Sequence, residues 1–154
     1  MGGLKINALV FIRIWIGVLF VFSGTQKLLS PYQNFLYVIQ NYQVLSHPFD
    51  VAVSIVLPWI ELILGVFVIL GLWTHWALRG LLILVTIFMG VVGQAIIRNL
   101  PIKDCGCFGE GFSFPLPVTL LFDGVLWIYI AFLMIRLERT IQFSVDQHYL
   151  RERK

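Results

Sequence analysis

The chain has 154 residues, 59% of them hydrophobic and 12% charged, with a mean hydropathy of +0.90. A soluble domain carries roughly twice that share of charge, so a water-soluble globule is excluded and a membrane protein is expected. The net charge of +3 comes from basic residues gathered at the ends of apolar runs, with no aromatic-interleaved basic patch, which sets nucleic-acid binding aside.

A bilayer crossing takes roughly 20 apolar residues, and the chain offers four such runs. The first, 8–29, carries Arg13 and is followed by no small-residue cleavage site, so it reads as a span and not as a signal peptide. Arg13 lies near one membrane edge and is expected to snorkel there. Next comes "SPYQNFLYVIQNYQVLSHPFD". Ser30 fits an N-cap, Pro31 the first helical position and Gln33 a capping-box partner, which predicts a short helix over 31–44. Phe35, Leu36, Ile39 and Tyr42 share one face of it, as in a helix that lies in the outer membrane interface or packs over the bundle. Pro48 is expected to end this helix and Asp50 to cap the next. The remaining spans are 51–72, 76–97 and 117–137, with a cysteine-bearing loop over 98–116 and a basic tail over 138–154 suited to an anionic leaflet or to solvent. Backbone amides in lipid must be satisfied within their own segment, so each span is helical. The expected fold is all-α, an integral membrane four-helix bundle with a short interfacial helix, forming a single domain over 1–154.

Lys and Arg counts set the orientation. With the N-terminus inside, Lys5, Arg13, Arg79, Arg136, Arg139, Arg151, Arg153 and Lys154 face the cytoplasm, against Lys27, Arg98 and Lys103 on the other side. Both termini are therefore expected in the cytoplasm and the cysteine loop on the periplasmic or exoplasmic face, where disulfides form.

Charged residues inside a span call for a partner or a function. Lys27 closes the first span at its outer end. At 1.5 Å per residue Asp123 lies roughly 9 Å deep and Glu61 roughly 9 to 15 Å deep, within reach of the Lys27 stem. Gln94, near the outer end of the third span, is a candidate fourth member. Two compatible readings follow: a structural ion pair that fixes helix register, and a polar centre that moves protons beneath the cysteine loop.

The loop reads "KDCGCFG". Cys105 and Cys107 can meet only across a tight turn, which Gly106 and Gly109 allow most readily. A ring that small is strained, and strain suits thiol–disulfide exchange better than it suits a staple. Lys103 favours a thiolate and Asp104 opposes it. Structural zinc needs four ligands, and two thiolates with His47 or Asp104 nearby fall short, so no metal is assigned. Two ordinary loop cysteines are the remaining reading.

"SGTQKL" at the end of the first span, the glutamate of "PWIELILG" in the second and "DCGCFG" before the fourth resemble the MauE/DoxX family of redox-associated membrane proteins over essentially the whole chain. The resemblance implies a four-helix bundle in the bacterial inner membrane. It also implies a link either to disulfide formation in periplasmic proteins, as in methylamine-dehydrogenase maturation, or to thiol and sulfur oxidation that delivers electrons to quinone. By position it makes Cys105 and Cys107 the redox pair and Lys27 and Glu61 the matching intramembrane residues; Asp123 is added from its depth alone.

Two functions from different classes stand at this point. One is a thiol–disulfide redox protein, an oxidoreductase, exchanging with a thioredoxin-like partner or other thiol protein. Its electrons pass to another protein or to a quinone held near Lys27, Glu61, Trp59 and Asp123. The other is a non-catalytic subunit or assembly factor of a larger membrane complex, in which the cysteine pair locks the loop.

Overall fold

A computed structural model describes residues 2–100, 102 and 115–136, with side chains from residue 8 onward. Cys105, Gly106, Cys107 and Gly109, and the tail over 138–154, lie outside the described residues. Among the described residues five helices follow one another: α1 (Gly2–Leu29), α2 (Tyr32–Asn41), α3 (Phe49–Leu70), α4 (Thr74–Ile97) and α5 (Leu116–Ile135). Ala8–Leu29 of α1 and the whole of α3, α4 and α5 are long and apolar enough to cross a bilayer. Among the described residues there is no strand, so the all-α bundle with a short extra helix is the fold.

The second and third spans begin two residues earlier than the apolar pattern indicates. Gly71 adopts a left-handed φ of 68° and its N–H bonds the Phe67 carbonyl, a C-cap that glycine makes without steric penalty. Trp73, also left-handed at φ 44°, then starts α4. Hydropathy runs straight through Gly71 and Leu72, which is why it misses the turn.

The expected capping box does not form. The Ser30 N–H still bonds the Gln26 carbonyl at the end of α1, and Pro31, with ψ at 133°, is the N-cap of α2 and lends it no side-chain bond. Helical dihedrals therefore start one residue later, at Tyr32. Similarly, Pro48 caps α3, and Asp50 sits inside its first turn. Its Oδ1 accepts the Val51 N–H at 2.8 Å and its Oδ2 accepts Gln40 Nε2 at 2.7 Å, so Asp50 ties α2 to α3.

α1 packs most extensively on α3 and α4 on α5, with α3 against α4 joining the pairs. The α1–α3 seam depends on missing side chains. A Cβ on Gly65 would come 2.9 Å from the Gly17 carbonyl oxygen, and one on Gly24 2.8 Å from that of Pro58; small residues permit such close approach of membrane helices. Ile16, Phe20, Val68, Leu78, Leu81, Val85, Ile130 and Leu133 fill the interior. A second cluster, Tyr42 with Val92, Ala95 and Leu116, seats the end of α2 where α4 leaves the bundle and α5 enters it. The outward faces carry Phe11, Trp15, Ile83, Ile87, Leu121 and Ile128, all exposed, an apolar surface that requires lipid and not water around it.

Candidate functional site

Buried stripes run along α1 and α3, and Ser23 and Lys27 of the first meet Glu61 of the second. On α1 the stripe is Leu9, Arg13, Ile16, Phe20, Ser23 and Lys27, the alternating three- and four-residue spacing that keeps one helix face inward. On α3 it is Asp50, Ser54, Pro58, Glu61, Gly65 and Val68. Gly24 rests on the Pro58 carbonyl, and this contact sets Glu61, one turn further along α3, opposite the last two turns of α1.

Lys27 Nζ donates to Glu61 Oε2 at 2.7 Å, to Glu61 Oε1 at 2.8 Å and to Ser23 Oγ at 2.9 Å. All three ammonium protons are used. Ser23 Oγ in turn donates to Glu61 Oε2 at 3.1 Å, so the three side chains form a closed ring of bonds. The Lys27 and Glu61 side chains are 1% and 0% exposed. The rings of Phe35 from α2 and Phe88 from α4 lie 5.3 and 5.6 Å from the ammonium. They contribute cation–π attraction and shut out water. A buried pair persists only with such complete bonding, because desolvation of the two charges is costly.

Asp123 of α5 is 6% exposed. It makes no direct ion pair with Lys27, although its charge acts on the ammonium, and its Oδ2 is buried with no hydrogen-bond partner. Gln94 is half-buried near the end of α4; its carbonyl accepts the Arg98 N–H, and its side chain makes no bond to Lys27, Glu61 or Asp123. Arg13 does not snorkel: at 1% exposure it is among the most completely buried side chains, because it occupies the inward stripe of α1. Ser23, which the sequence reading passed over, stands four residues before Lys27 on that stripe, and this spacing is the signal that marks it. Among the described residues no three His, Cys, Asp or Glu side chains gather as metal ligands would.

The sequence model of the family described as methylamine utilisation protein MauE matches residues 5–136, a stretch that takes in all four spans and the polar centre. The chain belongs to the MauE family. No curated protein and no solved structure matches it.

Among the described residues of this MauE-family chain, two cavities lie beside the ion pair. The larger, about 510 Å³, lies among α2, α3 and α4 and is lined by Val38, Leu57, Ile83, Phe88 and Val91 among others. Among the described residues that line it, Lys27 and Tyr42 alone have polar side chains. The volume falls in the range of small-ligand sites. It differs from the expected polar notch: Glu61, Asp123 and Trp59 do not line it, and Trp59 faces outward at 53% exposure. Tyr42, at the end of α2, has its phenol pushed up to about 12 by burial and, secondarily, by the Asp123 carboxylate. The smaller cavity, about 30 Å³, lies on the α5 side and is bounded by Ser23, Asp123, Phe20 and Val85 among others.

Proposed function

We propose that this membrane protein is a thiol–disulfide redox protein whose Cys105 and Cys107 exchange electrons with a thioredoxin-like protein or other thiol partner on the extracytoplasmic side of a bacterial inner membrane. The observation that carries the proposal is positional. The segment holding both cysteines leaves α4 and re-enters α5 at the bundle end where α2 packs, and the buried Lys27–Glu61 pair lies at that same end. A partner thiolate attacks one sulfur of the Cys105–Cys107 disulfide, giving a mixed disulfide and a free cysteine thiolate. The second partner thiol then displaces the bound cysteine, so the partner is oxidised and Cys105 and Cys107 are reduced by two electrons.

Reoxidation needs an acceptor. The 510 Å³ cavity is apolar along its length, with Lys27 and Tyr42 as its polar groups, and its size and lining suit a quinone ring with the start of its tail. A quinone there would supply a two-electron, two-proton sink that returns the cysteines to the disulfide. The chain's own part is to exclude water with Phe35 and Phe88 and to hold protons at Glu61 and Asp123. The complete bonding of the ion pair equally supports the second reading, a non-catalytic subunit of a larger membrane complex.

Trapping with Cys105→Ala and Cys107→Ala separates the two readings. A mixed disulfide between one single variant and an extracytoplasmic thiol protein is the expected result. Neither variant trapping any partner, together with wild-type thiol oxidation by the double variant, would leave the subunit reading. Orientation is tested by labelling the reduced cysteines in intact cells with an impermeant thiol reagent; labelling only after lysis would place the loop in the cytoplasm.

A further inference from the structure

We infer that the 510 Å³ cavity is a slot for one long hydrocarbon chain with an uncharged head, entered sideways from the bilayer between α3 and α4. That the head is a quinone rests on the acceptor reading above; the chain and the side entry rest on the shape and surroundings of the cavity.

The lining follows one face of each of two neighbouring helices. It recurs at three- and four-residue spacing from Gly80 to Val92 on α4 and from Val53 to Leu64 on α3. At 1.5 Å per residue both stripes run roughly 17 Å along the helix axes. That is over half of the ~30 Å hydrocarbon core, a length that suits a chain lying parallel to the helices and that a ring alone leaves mostly empty. The space exists because α3 packs less extensively on α4 than on α1. Its far end closes where the two helices draw together: a Cβ on Gly80 would come 3.0 Å from both Leu64 methyl carbons.

The mouth opens to lipid. Ile60, Ile83 and Ile87 line the cavity and are also 40%, 62% and 59% exposed, on helices long and apolar enough to cross a bilayer. A molecule that arrives through this mouth comes from the bilayer, and an apolar chain passes it without meeting water. The other end carries the polar groups, Lys27 at the end of α1 and Tyr42 at the end of α2. Lys27 is the sole charge among the described lining residues, and Glu61 neutralises it at 2.7 Å. A phosphate or carboxylate head would add a charge with no cation left over to meet it, which is costly in an apolar site. An uncharged head adds none, and Phe35 and Phe88, beside the ammonium, offer it aromatic faces.

Photolabelling in lipid nanodiscs tests the inference on the full chain carrying Cys105→Ala and Cys107→Ala, so that thiol chemistry plays no part. Three probes share one long chain with a diazirine at its end and differ in the head: a benzoquinone, a monoacylglycerol and a lysophosphatidate. Peptide mass spectrometry reads the labelled positions. The benzoquinone probe is expected to label Gly80 to Leu84 saturably and several-fold more than Leu121 and Ile128, which face lipid on α5. The lysophosphatidate should label the slot several-fold less. Ile83→Trp, at the exposed rim, blocks the mouth without altering charge and should abolish the saturable labelling, whereas Val125→Trp, 51% exposed on α5 and outside the lining, should leave it unchanged. Saturable labelling by the monoacylglycerol and not by the benzoquinone would uphold the chain slot and remove the quinone from the acceptor reading. No saturable slot labelling by either uncharged probe, equal labelling by the lysophosphatidate, or undiminished labelling of Ile83→Trp would each overturn the inference.

Discussion

Removal of one partner from the Lys27–Glu61 pair is expected to be far more damaging than removal of both. In Lys27→Met, the Glu61 carboxylate loses the donors at 2.7 and 2.8 Å and keeps only the Ser23 hydroxyl at 3.1 Å. In Glu61→Leu, the ammonium loses two of its three acceptors and stays beneath Phe35 and Phe88. Each single variant strands a charge at a site that is 1% or less exposed, a situation that costs about 3–5 kcal/mol. The double variant Lys27→Met/Glu61→Leu strands none, and Ser23 can turn its hydroxyl to a carbonyl one turn back. Its stability should lie close to that of the wild type or exceed it by about 1–4 kcal/mol. Reversible unfolding in mixed micelles, followed by helicity and analysed as a double-mutant cycle, measures this. A double variant that loses the sum of the two single losses would show that the charges do not act on one another, and the geometry of the centre would then be irrelevant to stability.

Gly65→Ala forces a Cβ to 2.9 Å from the Gly17 oxygen and should lower stability by about 1–3 kcal/mol, whereas Gly90→Ala and Gly93→Ala, which meet nothing within 4 Å, should raise it by roughly 0.5–1 kcal/mol; thermal melting of the three variants checks the order. Trp127→Phe removes the 3.0 Å bond from Nε1 to Thr86 Oγ1 and should cost about 0.6 kcal/mol, the average for such a bond between membrane helices. For Tyr42 the folded chain holds the phenolic proton up to about pH 12, against an ordinary value of 10.0, so it binds more protons than the unfolded chain in that interval. Its contribution to stability is complete below pH 10 and is lost as pH rises through 12. Tyr42→Phe should flatten this alkaline decline in a pH-dependent unfolding series, and an unchanged decline would show that Tyr42 is not its source.

The spans, their number and the short helix α2 were legible because apolar length and turn residues are local signals. The polar centre was legible in part. Depth along the helix axis brought Lys27 and Glu61 to the same level, and they do meet. Depth says nothing about azimuth, and azimuth separates Gln94, which stays apart, from Ser23, which closes the ring. Periodicity supplies that coordinate. In a membrane bundle the usual amphipathic rule is inverted, so the inward face is the one that collects polar residues. Arg13, Ser23 and Lys27 share a stripe with Leu9, Ile16 and Phe20, and this spacing identifies Arg13 as an interior residue although it lies close enough to an edge to snorkel. The missed caps have another origin. Whether Ser30 ends α1 or begins α2 depends on a single backbone dihedral at Pro31, and both outcomes are compatible with the same sequence.

If an apolar pair at positions 27 and 61 is as stable as the ion pair, stability is not what the ion pair adds. On the proposed reading it adds a site where a proton can rest in the bilayer without a net charge, since one cation and two carboxylates form a neutral unit with one proton to share. On the proposed redox reading, oxidation of the dithiol releases two protons with its two electrons, and an acceptor in the apolar cavity beside Lys27 would receive both. The Lys27→Met/Glu61→Leu chain therefore makes a sharp functional prediction: folded and stable, with Cys105 and Cys107 still able to form mixed disulfides with a partner, but stalled after one exchange because reoxidation has lost its proton route. Single-turnover and multiple-turnover thiol oxidation, measured on the same preparation, separate the two steps. Wild-type multiple turnover by that variant would reduce the buried pair to a register device and leave the cysteine pair to act without it.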